Sequence, residues 1–560
     1  MAGKHSKPIT KVETTTRPTA SHDGFSVTGI IIGILGCIII TASSVYTALK
    51  MGALPWPTIF TSVTALVLLR AFGHRSLNEA NVTQIIMSAG SMVAGGLAFT
   101  IPGIWMLGLA DSVNWKDMLL VALAGTLLGL VCTALIRRRL VEESNLEYPI
   151  GVAAAQTLEA SQAGGATGAK LVLSMLVAGA WSVARDVLGL IPAMLCQLPI
   201  PGVAFGLYNS PMMLSIGFLV GGAAVAFWFG GAVLANLGII WGGTTVGLWD
   251  LATAQAIVSS LGMGLMMGSG LGVVVRDVIP KAFGYLRGGP GRGSGASERT
   301  ANPLILCLLL VGSAVLVSLG LKLSPQATAL ILALGLVTTI MSAQSVGQTG
   351  IDPMEIFGLI VLLAVAALGE RDQVRLFFVA GIIAVACGLG GDVMSDFKTG
   401  QLIGTSPRQM WWGQTIGALL GSVVSVVVIV ALAGAYGTDA FGPGQQFVSA
   451  QASVVATMVS GIPNLPAFVI GIVAGIVLYC LGQPSMMLGL GVYLPFYMSL
   501  SAPIGALVKL VYDKLAGGKA HSGELDHNDT GIIVASGLLG GESIVGVAIA
   551  LMTVVTGLLG

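Results

Sequence analysis

Two aspartates stand four residues apart in a glycine-rich, charged island that interrupts apolar sequence, GLGGDVMSDFKTGQLIGTSPRQMWW at residues 388–412. Residues four apart share one face of a helix, so Asp392 and Asp396 could act together. Lys398 and Arg408 are close enough in sequence to pair with them, and the flanking glycines Gly390, Gly391 and Gly400 predict a broken or re-entrant backbone. Inside lipid, irregular or charged segments survive only where protein buries them or water reaches them. The island is therefore typical of a proton-coupling carboxylate site or a gate, the alternative being an ordinary cytoplasmic loop whose charges face water.

A second polar element is NLEYPIGVAAAQTLEASQAGG at residues 145–165, where a proline and a glycine interrupt the chain before a mildly amphipathic stretch. Helical spacing places Gln156 and Glu159 near one face, and Tyr148 adds an amphipathic ring. Broken or re-entrant elements of this kind line polar cavities in membrane proteins. The alternative is an interfacial helix whose acids are solvated.

Arg185 and Asp186 lie deep in the apolar run KLVLSMLVAGAWSVARDVLGLIPAMLC. Charged residues in such runs are costly and usually face the interior of a helix bundle. Arg185 is suited to clamp a substrate carboxylate and Asp186 to act as a coupling site, whereas the alternative is a structural pair near a helix end. Neighbouring residues on a helix point about 100° apart, so the two side chains are expected to have different partners.

Polar residues interrupt apolar sequence at three further places. Glu542 is the only acid in the last apolar stretch, where it could carry a proton or, alternatively, contact interfacial water. Gln348, together with Gln344 and Asp352, lies in the polar break SAQSVGQTGIDPMEIFG and is a candidate for lining a cavity. Asn464 stands between two prolines in GIPNLPAF and marks another broken helix.

Composition predicts that membrane-spanning helices position these residues. Of 560 residues, 55% are hydrophobic and 9% are charged, against roughly 25% charged in soluble proteins. Residues 187–249 and 440–508 contain no Asp, Glu, Lys or Arg, and each run is long enough for about three crossings. The sequence therefore predicts an all-α polytopic membrane protein with about sixteen transmembrane helices. Residues 149–163 and 234–248 are expected to be broken or re-entrant segments.

Basic residues set the predicted orientation and domain organisation. Lys/Arg clusters in the N-terminal tail, at 70–81, at 137–139 and at 276–300 fit a cytoplasmic side, and with it a cytoplasmic N-terminus. A weak echo between residues 78–96 and 526–546 predicts two related halves. The expected organisation is a polar tail at 1–25, an N-terminal transmembrane half at 26–286, a flexible cytoplasmic linker at 287–301 and a C-terminal transmembrane half at 302–560.

Composition and motifs argue against several function classes. A net charge of +1 argues against the large basic surface that nucleic-acid binding requires. The six cysteines lie singly in apolar segments and the five histidines lie in the polar tail or loops, so no disulfide framework, metal site or histidine proton relay is predicted. No Walker-type GxxxxGK[ST] occurs, so energy for any uphill step would come from an ion gradient or from a partner. No cofactor is predicted.

Three segments together resemble the oligopeptide transporter (OPT) family. NLEYPIGVAAAQTLEA resembles the family's YPxGxAxA segment, GGDVMSDFKTGQLIGTSPRQMWWGQTIG is similar to its DxxxDxKTGxxxGxxPR stretch, and GIPNLPAFVIGIVAG is similar to its late broken-helix region. The chain lacks the NPG and KIPPR signatures of the fungal and plant peptide branch, so it resembles a prokaryotic member nearer the yellow stripe-like branch. The matched positions are Tyr148, Pro149, Gly151, Asp392, Asp396, Lys398, Thr399, Gly400, Pro407 and Arg408.

The resemblance implies a proton-coupled symporter that imports short oligopeptides or peptide-like conjugates, including metal chelates. Its partners would be that substrate, protons and the lipid bilayer. Because no histidine lies in an apolar stretch, the proton work would fall to acids such as Asp392 and Asp396. The alternatives are a passive channel or facilitator for a small polar solute, and an integral-membrane enzyme.

Overall fold

Long apolar helices dominate the fold, because a helix satisfies its backbone polar groups internally, as lipid requires. The computed structural model describes residues 24–51, 57–144, 146, 148, 150–152, 154–155, 158, 167–220, 222–273, 275–276, 300–349, 352–460, 462–515 and 530–559. Within these residues, nine helical stretches are long and apolar enough to cross a bilayer. The prediction of an all-α polytopic membrane protein is confirmed.

The α-helices of the described chain are labelled in order. Those before the predicted linker are α1 (Val27–Met51), α2 (Pro57–Ala71), α3 (Leu77–Ala98), α4 (Pro102–Met106), α5 (Trp115–Arg137), α6 (Thr167–Asp186), α7 (Pro211–Val220), α8 (Gly222–Ala232) and α9 (Leu251–Val273). Those after it are α10 (Pro303–Val315), α11 (Pro325–Thr349), α12 (Met354–Ala367), α13 (Gln373–Cys387), α14 (Val393–Ile403), α15 (Pro407–Tyr436), α16 (Ala450–Ser460), α17 (Leu465–Cys480), α18 (Ser485–Tyr493), α19 (Phe496–Leu515) and α20 (Thr530–Leu559).

The charged island is helical, which corrects the expectation of a broken backbone over its first part. Residues Gly388–Asp392 form a π-helical turn that joins α13 to α14, so Gln373–Ile403 is one continuous helical stretch. The chain breaks only afterwards, at Gly404, whose φ of 84° lies in the left-handed region and ends α14. The island's charges are therefore carried by a helix that crosses the protein, and π-helical turns of this kind are frequent at functional sites.

The two segments expected to be re-entrant have different outcomes. Residues 234–248 do not form a separate element, because α8 continues through a π-helical stretch, Val233–Gly242, and the helical run extends to Thr245. Most of residues 149–163 lie outside the described residues. The described residues of that segment, at 150–152, 154–155 and 158, are helical.

A β-hairpin follows α6, where the sequence suggested no strand. Strands β1 (Met194–Ile200) and β2 (Val203–Tyr208) pair antiparallel, with Ile200 opposite Val203 across the turn. Gly202 has a φ of 76° in this turn, a conformation that favours glycine. Most side chains of β1 are exposed, so the hairpin lies at the surface rather than in the helical core.

Helices from both sides of the predicted linker pack together in the centre of the molecule. Helix α3 lies against α1, α5, α13 and α15, and its most apolar window is entirely buried. Glycine permits the closest approaches: a Cβ at Gly264 on α9 would lie 3.0 Å from the Cα of Gly471 on α17. This packing places the middle of the Gln373–Ile403 stretch against the middle of α3.

Candidate functional site

The π-helical turn Gly388–Asp392 is the centre of the candidate site. A Cβ at Gly388 would lie 3.2 Å from the main-chain oxygen of Met92, near the middle of the Leu77–Met106 stretch. A Cβ at Gly391 would overlap the hydroxyl of Ser342 on α11. The glycines therefore let α3 and α11 approach the turn so closely that no side chain separates them.

Four buried or partly buried acids gather around this turn. Asp392 interacts electrostatically with Asp352, Asp396 and Glu355, and these four residues are called the acid cluster below. Asp352 precedes α12 and Glu355 lies in its first turn, where the helix N-terminus favours a negative charge. The Asp352 Oδ2 atom would lie 3.1 Å from a Cβ at Gly391, the residue before Asp392. Two distant parts of the chain thus bring their carboxylates to one place.

Asp396 is tied to α3 by two strong hydrogen bonds. The Gln84 side-chain amide donates to Oδ1 at 2.6 Å, and the Ser88 hydroxyl donates to Oδ2 at 2.5 Å. The side chain is completely buried. Short bonds from neutral donors to a carboxylate are charge-assisted, so they hold α14 against α3 with a fixed carboxylate orientation.

Asp352 lies in a different hydrogen-bonding environment. Both of its carboxylate oxygens are buried, and no donor among the described residues reaches them in bonding geometry. The nearby Ser342 hydroxyl instead donates to the main-chain oxygen of Cys387 at 3.2 Å. The acid cluster therefore contains one carboxylate that the protein satisfies and another that it leaves without a donor.

The basic residues of the island do not neutralise its aspartates, contrary to the expected pairing. Lys398 donates to Gln401 at 3.0 Å, and the Arg408 side chain is exposed. In the described part of the chain, neither Lys398 nor Arg408 forms an ion pair with Asp392 or Asp396. Both basic residues follow on the outer part of α14 or at the start of α15, beyond the buried turn.

The segment around Tyr148 packs directly against the same helices. The Tyr148 N–H donates to the main-chain oxygen of Gly347 at 2.9 Å, and the residue has a φ of 50°, which is strained for a side chain of this size. Thr399 on α14 donates to the main-chain oxygen of Gly151 at 2.9 Å, and a Cβ at Gly151 would overlap the main chain of Ser395. The structure thus brings together the two sequence elements at 145–165 and 388–408.

The acid cluster does not have the geometry of a metal centre. Among the described residues, no three His, Cys, Asp or Glu side chains converge closely enough to bind an ion. The carboxylates face one another through electrostatic interaction without sharing a coordination point.

Arg185, Asp186 and Glu542 form a second polar group, here called the arginine clamp. Arg185 bonds both Asp186 oxygens at 2.7 Å and one Glu542 oxygen at 2.9 Å. The Arg185 side chain is only 2% exposed, and its remaining nitrogen donates to the Asn209 main chain at 2.5 Å. The expectation that Arg185 and Asp186 have different partners is wrong, because the guanidinium folds back on its neighbour at the end of α6.

Glu542 holds the start of α7 within this clamp. Its carboxylate accepts from the Met212 N–H at 2.8 Å and lies 2.9 Å from the Ser210 hydroxyl. A carboxylate from α20 thereby satisfies the first N–H groups of another helix. All three guanidinium nitrogens of Arg185 donate to groups inside the protein, which makes Arg185 a structural residue rather than a clamp for a substrate carboxylate.

The remaining predicted residues lie elsewhere or outside the description. Gln156 and Glu159 are outside the described residues, and Gln348 is in α11 but its side chain is not described. Asn464 follows the break after α16, as expected, and its side chain accepts from the Ala467 N–H at 3.0 Å as the N-cap of α17. This contact explains Asn464 as a helix cap.

Sequence reasoning missed Glu355, the Gln84–Ser88 pair and Lys50. Glu355 stands three residues after Asp352 in an otherwise apolar stretch, and this helical spacing of two acids could have indicated that they lie close together. Gln84 and Ser88 are four apart on α3, as expected of groups that serve one partner, but nothing in sequence pointed to that partner. Lys50 ends the first apolar stretch, a place where a lysine is usually interfacial.

Comparison with known proteins identifies a family that matches most of this chain. The family model described as OPT oligopeptide transporter protein matches residues 25–275 and 297–553. The "Putative oligopeptide transporter" of Haemophilus influenzae is 24% identical to this chain over 90% of the chain and 92% of its own length. In Oryza sativa subsp. japonica, the "Probable metal-nicotianamine transporter YSL16" is 30% identical over 31% of this chain and 27% of its own length. The "Metal-nicotianamine transporter YSL2" of the same organism is 38% identical over 15% of this chain and 13% of its own length.

These matches confirm the resemblance that the sequence motifs predicted. The family match covers both sides of the predicted linker, and the Haemophilus relative extends over nearly the whole chain. The helical, membrane-spanning architecture agrees with it. The chain therefore belongs to the OPT oligopeptide transporter family, and it is a multi-pass membrane transporter rather than an enzyme.

Proposed function

We propose that this transporter is a proton-coupled symporter that imports short peptides or peptide-like conjugates, including metal chelates, across a bacterial inner membrane. Its N-terminus would be cytoplasmic. The observation that carries the proposal is the acid cluster at the π-helical turn, in the middle of a helix that crosses the protein. The substrate classes follow those named for relatives of this chain, oligopeptides and metal-nicotianamine.

The charge of the acid cluster needs a neutralising partner. Burying an ionised carboxylate without a cation or donors is costly in a low-dielectric interior. In the described part of the chain, no ion pair joins Asp352, Glu355 or Asp392 to a basic residue. A proton is then the natural neutralising group, and its arrival or departure changes the charge at the helix crossing.

The neighbouring Tyr148 segment offers a way for that charge change to reach the transport path. It is backbone-strained at Tyr148 and is held on α14 through the Thr399–Gly151 hydrogen bond. The same helix carries Asp396 four residues after Asp392. Protonation at the cluster would therefore act on a helix that also holds the strained Tyr148–Gly151 part of the chain, which lies beside the proposed path.

Transport in liposomes tests the proposal. Purified protein is reconstituted, and uptake of radiolabelled trialanine and of radiolabelled iron–nicotianamine is measured with and without an inward proton gradient. We expect accumulation above the external concentration, abolished by a protonophore. Flux that only equilibrates the probe would identify a passive facilitator, and no uptake of either probe would refute the proposal.

Single substitutions then locate the coupling. Asp392→Asn and Asp352→Asn should lose gradient-driven accumulation but retain exchange of probe across the membrane, because the path would remain while the proton site is lost. Asp439→Asn is a matched control, since Asp439 is an exposed residue of a short 3₁₀ turn. Wild-type accumulation in both cluster variants would make the acid cluster a structural feature.

A further inference from the structure

A buried lysine lies apart from the acid cluster and forms no ion pair with a carboxylate of the described residues. Lys50, in the last turn of α1, is 8% exposed. Its ammonium donates a long hydrogen bond of 3.4 Å to the Tyr208 hydroxyl, and no ion pair to Lys50 occurs among the described residues. A buried ammonium with only one long hydrogen bond is poorly satisfied, so a carboxylate that contacted it directly would bind favourably here.

Aromatic rings surround the ammonium. It lies 5.8 Å from the ring centre of Tyr46 and 5.5 Å from that of Tyr208, both within the range of cation–π attraction. Tyr208 packs edge-on against Tyr497, and Phe447 packs against both Tyr46 and Tyr436. Lys50 and these rings are called the lysine cage. Tyr208, Tyr436 and Tyr497 are only partly buried, so part of the cage wall lies at the protein surface.

The nearest acids are already committed. Glu542 acts on Lys50 electrostatically, but its oxygens are bonded to Arg185, Ser210 and the Met212 N–H. Arg185 also lies over the Tyr208 ring, at 5.3 Å from its centre. The arginine clamp therefore holds Tyr208 in place. It sets one guanidinium against two carboxylates, so its excess negative charge acts on Lys50 through space, while no carboxylate of the clamp bonds the ammonium directly.

The position of the cage fits the entry side of an importer. The start of α1 lies against the start of α15, where Gly24 meets the Gln409 side chain. The far ends of α1 and α15 are joined through residues 447–449. The Ser449 N–H donates to the Leu49 main-chain oxygen near the end of α1, and Phe447 packs on Tyr436, the last residue of α15. The cage and the β-hairpin thus lie at the face opposite the N-terminus.

We propose that the lysine cage is the first binding site for the carboxylate end of the imported solute, with Lys50 as the anion-binding residue and the tyrosines as its walls. The inference rests on the proposed function for the direction of transport, since a cytoplasmic N-terminus makes this face external. The class of ligand is an amino-acid-derived carboxylate, a group that peptides and nicotianamine chelates share.

Binding to purified protein tests the site without transport. The dissociation constants of trialanine, trialanine amide and nicotianamine are measured in detergent by microscale thermophoresis. We expect wild-type protein to bind trialanine and nicotianamine, and to bind the amide at least 10-fold more weakly. Lys50→Met should raise the Kd of trialanine by about 10- to 150-fold, as loss of a charged hydrogen bond predicts.

Two variants control for folding and for nonspecific charge. Lys50→Met keeps most of the apolar stem, so weaker binding in that variant reports the lost charge, and Lys50→Arg, which keeps the charge, should retain most of the wild-type affinity. Lys509→Met is the matched control, because Lys509 also lies over a ring, that of Phe218 at 5.1 Å, but is paired with Asp513 at 3.4 Å. Its affinity should equal that of the wild type.

Several results would overturn the inference. They are equal trialanine affinity in Lys50→Met and wild type, equal binding of trialanine and its amide, and no binding of trialanine or nicotianamine by wild-type protein. Binding that depends on Lys50 without gradient-driven accumulation would refute the proposed symport and leave the cage intact. Accumulation that is unchanged in Lys50→Met would retain the symporter and reject the cage.

Discussion

Removing Glu542 tests whether the arginine clamp is structural. Its carboxylate serves three partners at 2.8–2.9 Å, namely Arg185, Ser210 and the Met212 N–H. Breaking a buried ion pair by deleting one partner costs about 3–5 kcal/mol, so Glu542→Ala should lower the free energy of unfolding by about that amount. Glu542→Gln keeps an acceptor for the helix start and should cost only about 1–2 kcal/mol.

Asp186 supplies the contrast within the same clamp. Its side chain is 34% exposed, against 4% for Glu542, so solvent replaces much of its interaction when it is removed. Asp186→Ala should therefore cost about 1 kcal/mol or less. The ordering of the two alanine variants follows from burial, because both acids contact the same guanidinium.

Unfolding in mixed micelles titrated with dodecyl sulfate measures these differences. Tryptophan fluorescence is a suitable signal, since the Trp181 indole donates to the Asn209 side chain at 3.2 Å beside the clamp. The structural assignment would be refuted if Glu542→Ala lay within about 0.5 kcal/mol of wild type, or if Asp186→Ala were the more damaging change. Loss of proton coupling in a stable Glu542→Gln protein would instead make Glu542 a proton carrier.

Three further outcomes are expected. Gly391→Ala should abolish uptake or folding, because the added methyl overlaps the Ser342 hydroxyl on α11. The methyl of Gly404→Ala meets nothing within 4 Å, so that variant should lose only about 1 kcal/mol of stability through its positive φ. Thermal unfolding of the two variants measures both losses. Asn464→Ala should lower stability by about 1 kcal/mol through loss of a helix cap and leave the Km for substrate unchanged, and a raised Km would make Asn464 a binding residue. Ser88→Ala removes one of the donors to Asp396 and should lower the free energy of unfolding by about 1–3 kcal/mol in the same micelle titration. An unchanged free energy of unfolding would show that this hydrogen bond does not contribute to stability.

Local sequence was enough to predict most of the helices and the break around Asn464, but it was wrong about residues 234–248, most of which continue α8 as a helix. Apolar length marked the helices, and the prolines around Asn464 marked the break before α17, where the structure has it. The glycines of the island suggested a broken backbone, but tertiary packing made them a π-helical turn. Their missing side chains serve close helix contact, a use that sequence alone does not distinguish from flexibility.

Sequence by itself thus determined the class of molecule, the approximate helices and the family, because these depend on hydrophobic length and on short motifs. Tertiary structure decided which polar residues work together. Asp396 meets Ser88 across 308 positions and Arg185 meets Glu542 across 357, separations over which no local pattern identifies a partner. The charged residues of a membrane protein must find partners inside the bundle, so only the packing of its helices shows which are bonded to an opposite charge and which, like Lys50, are not.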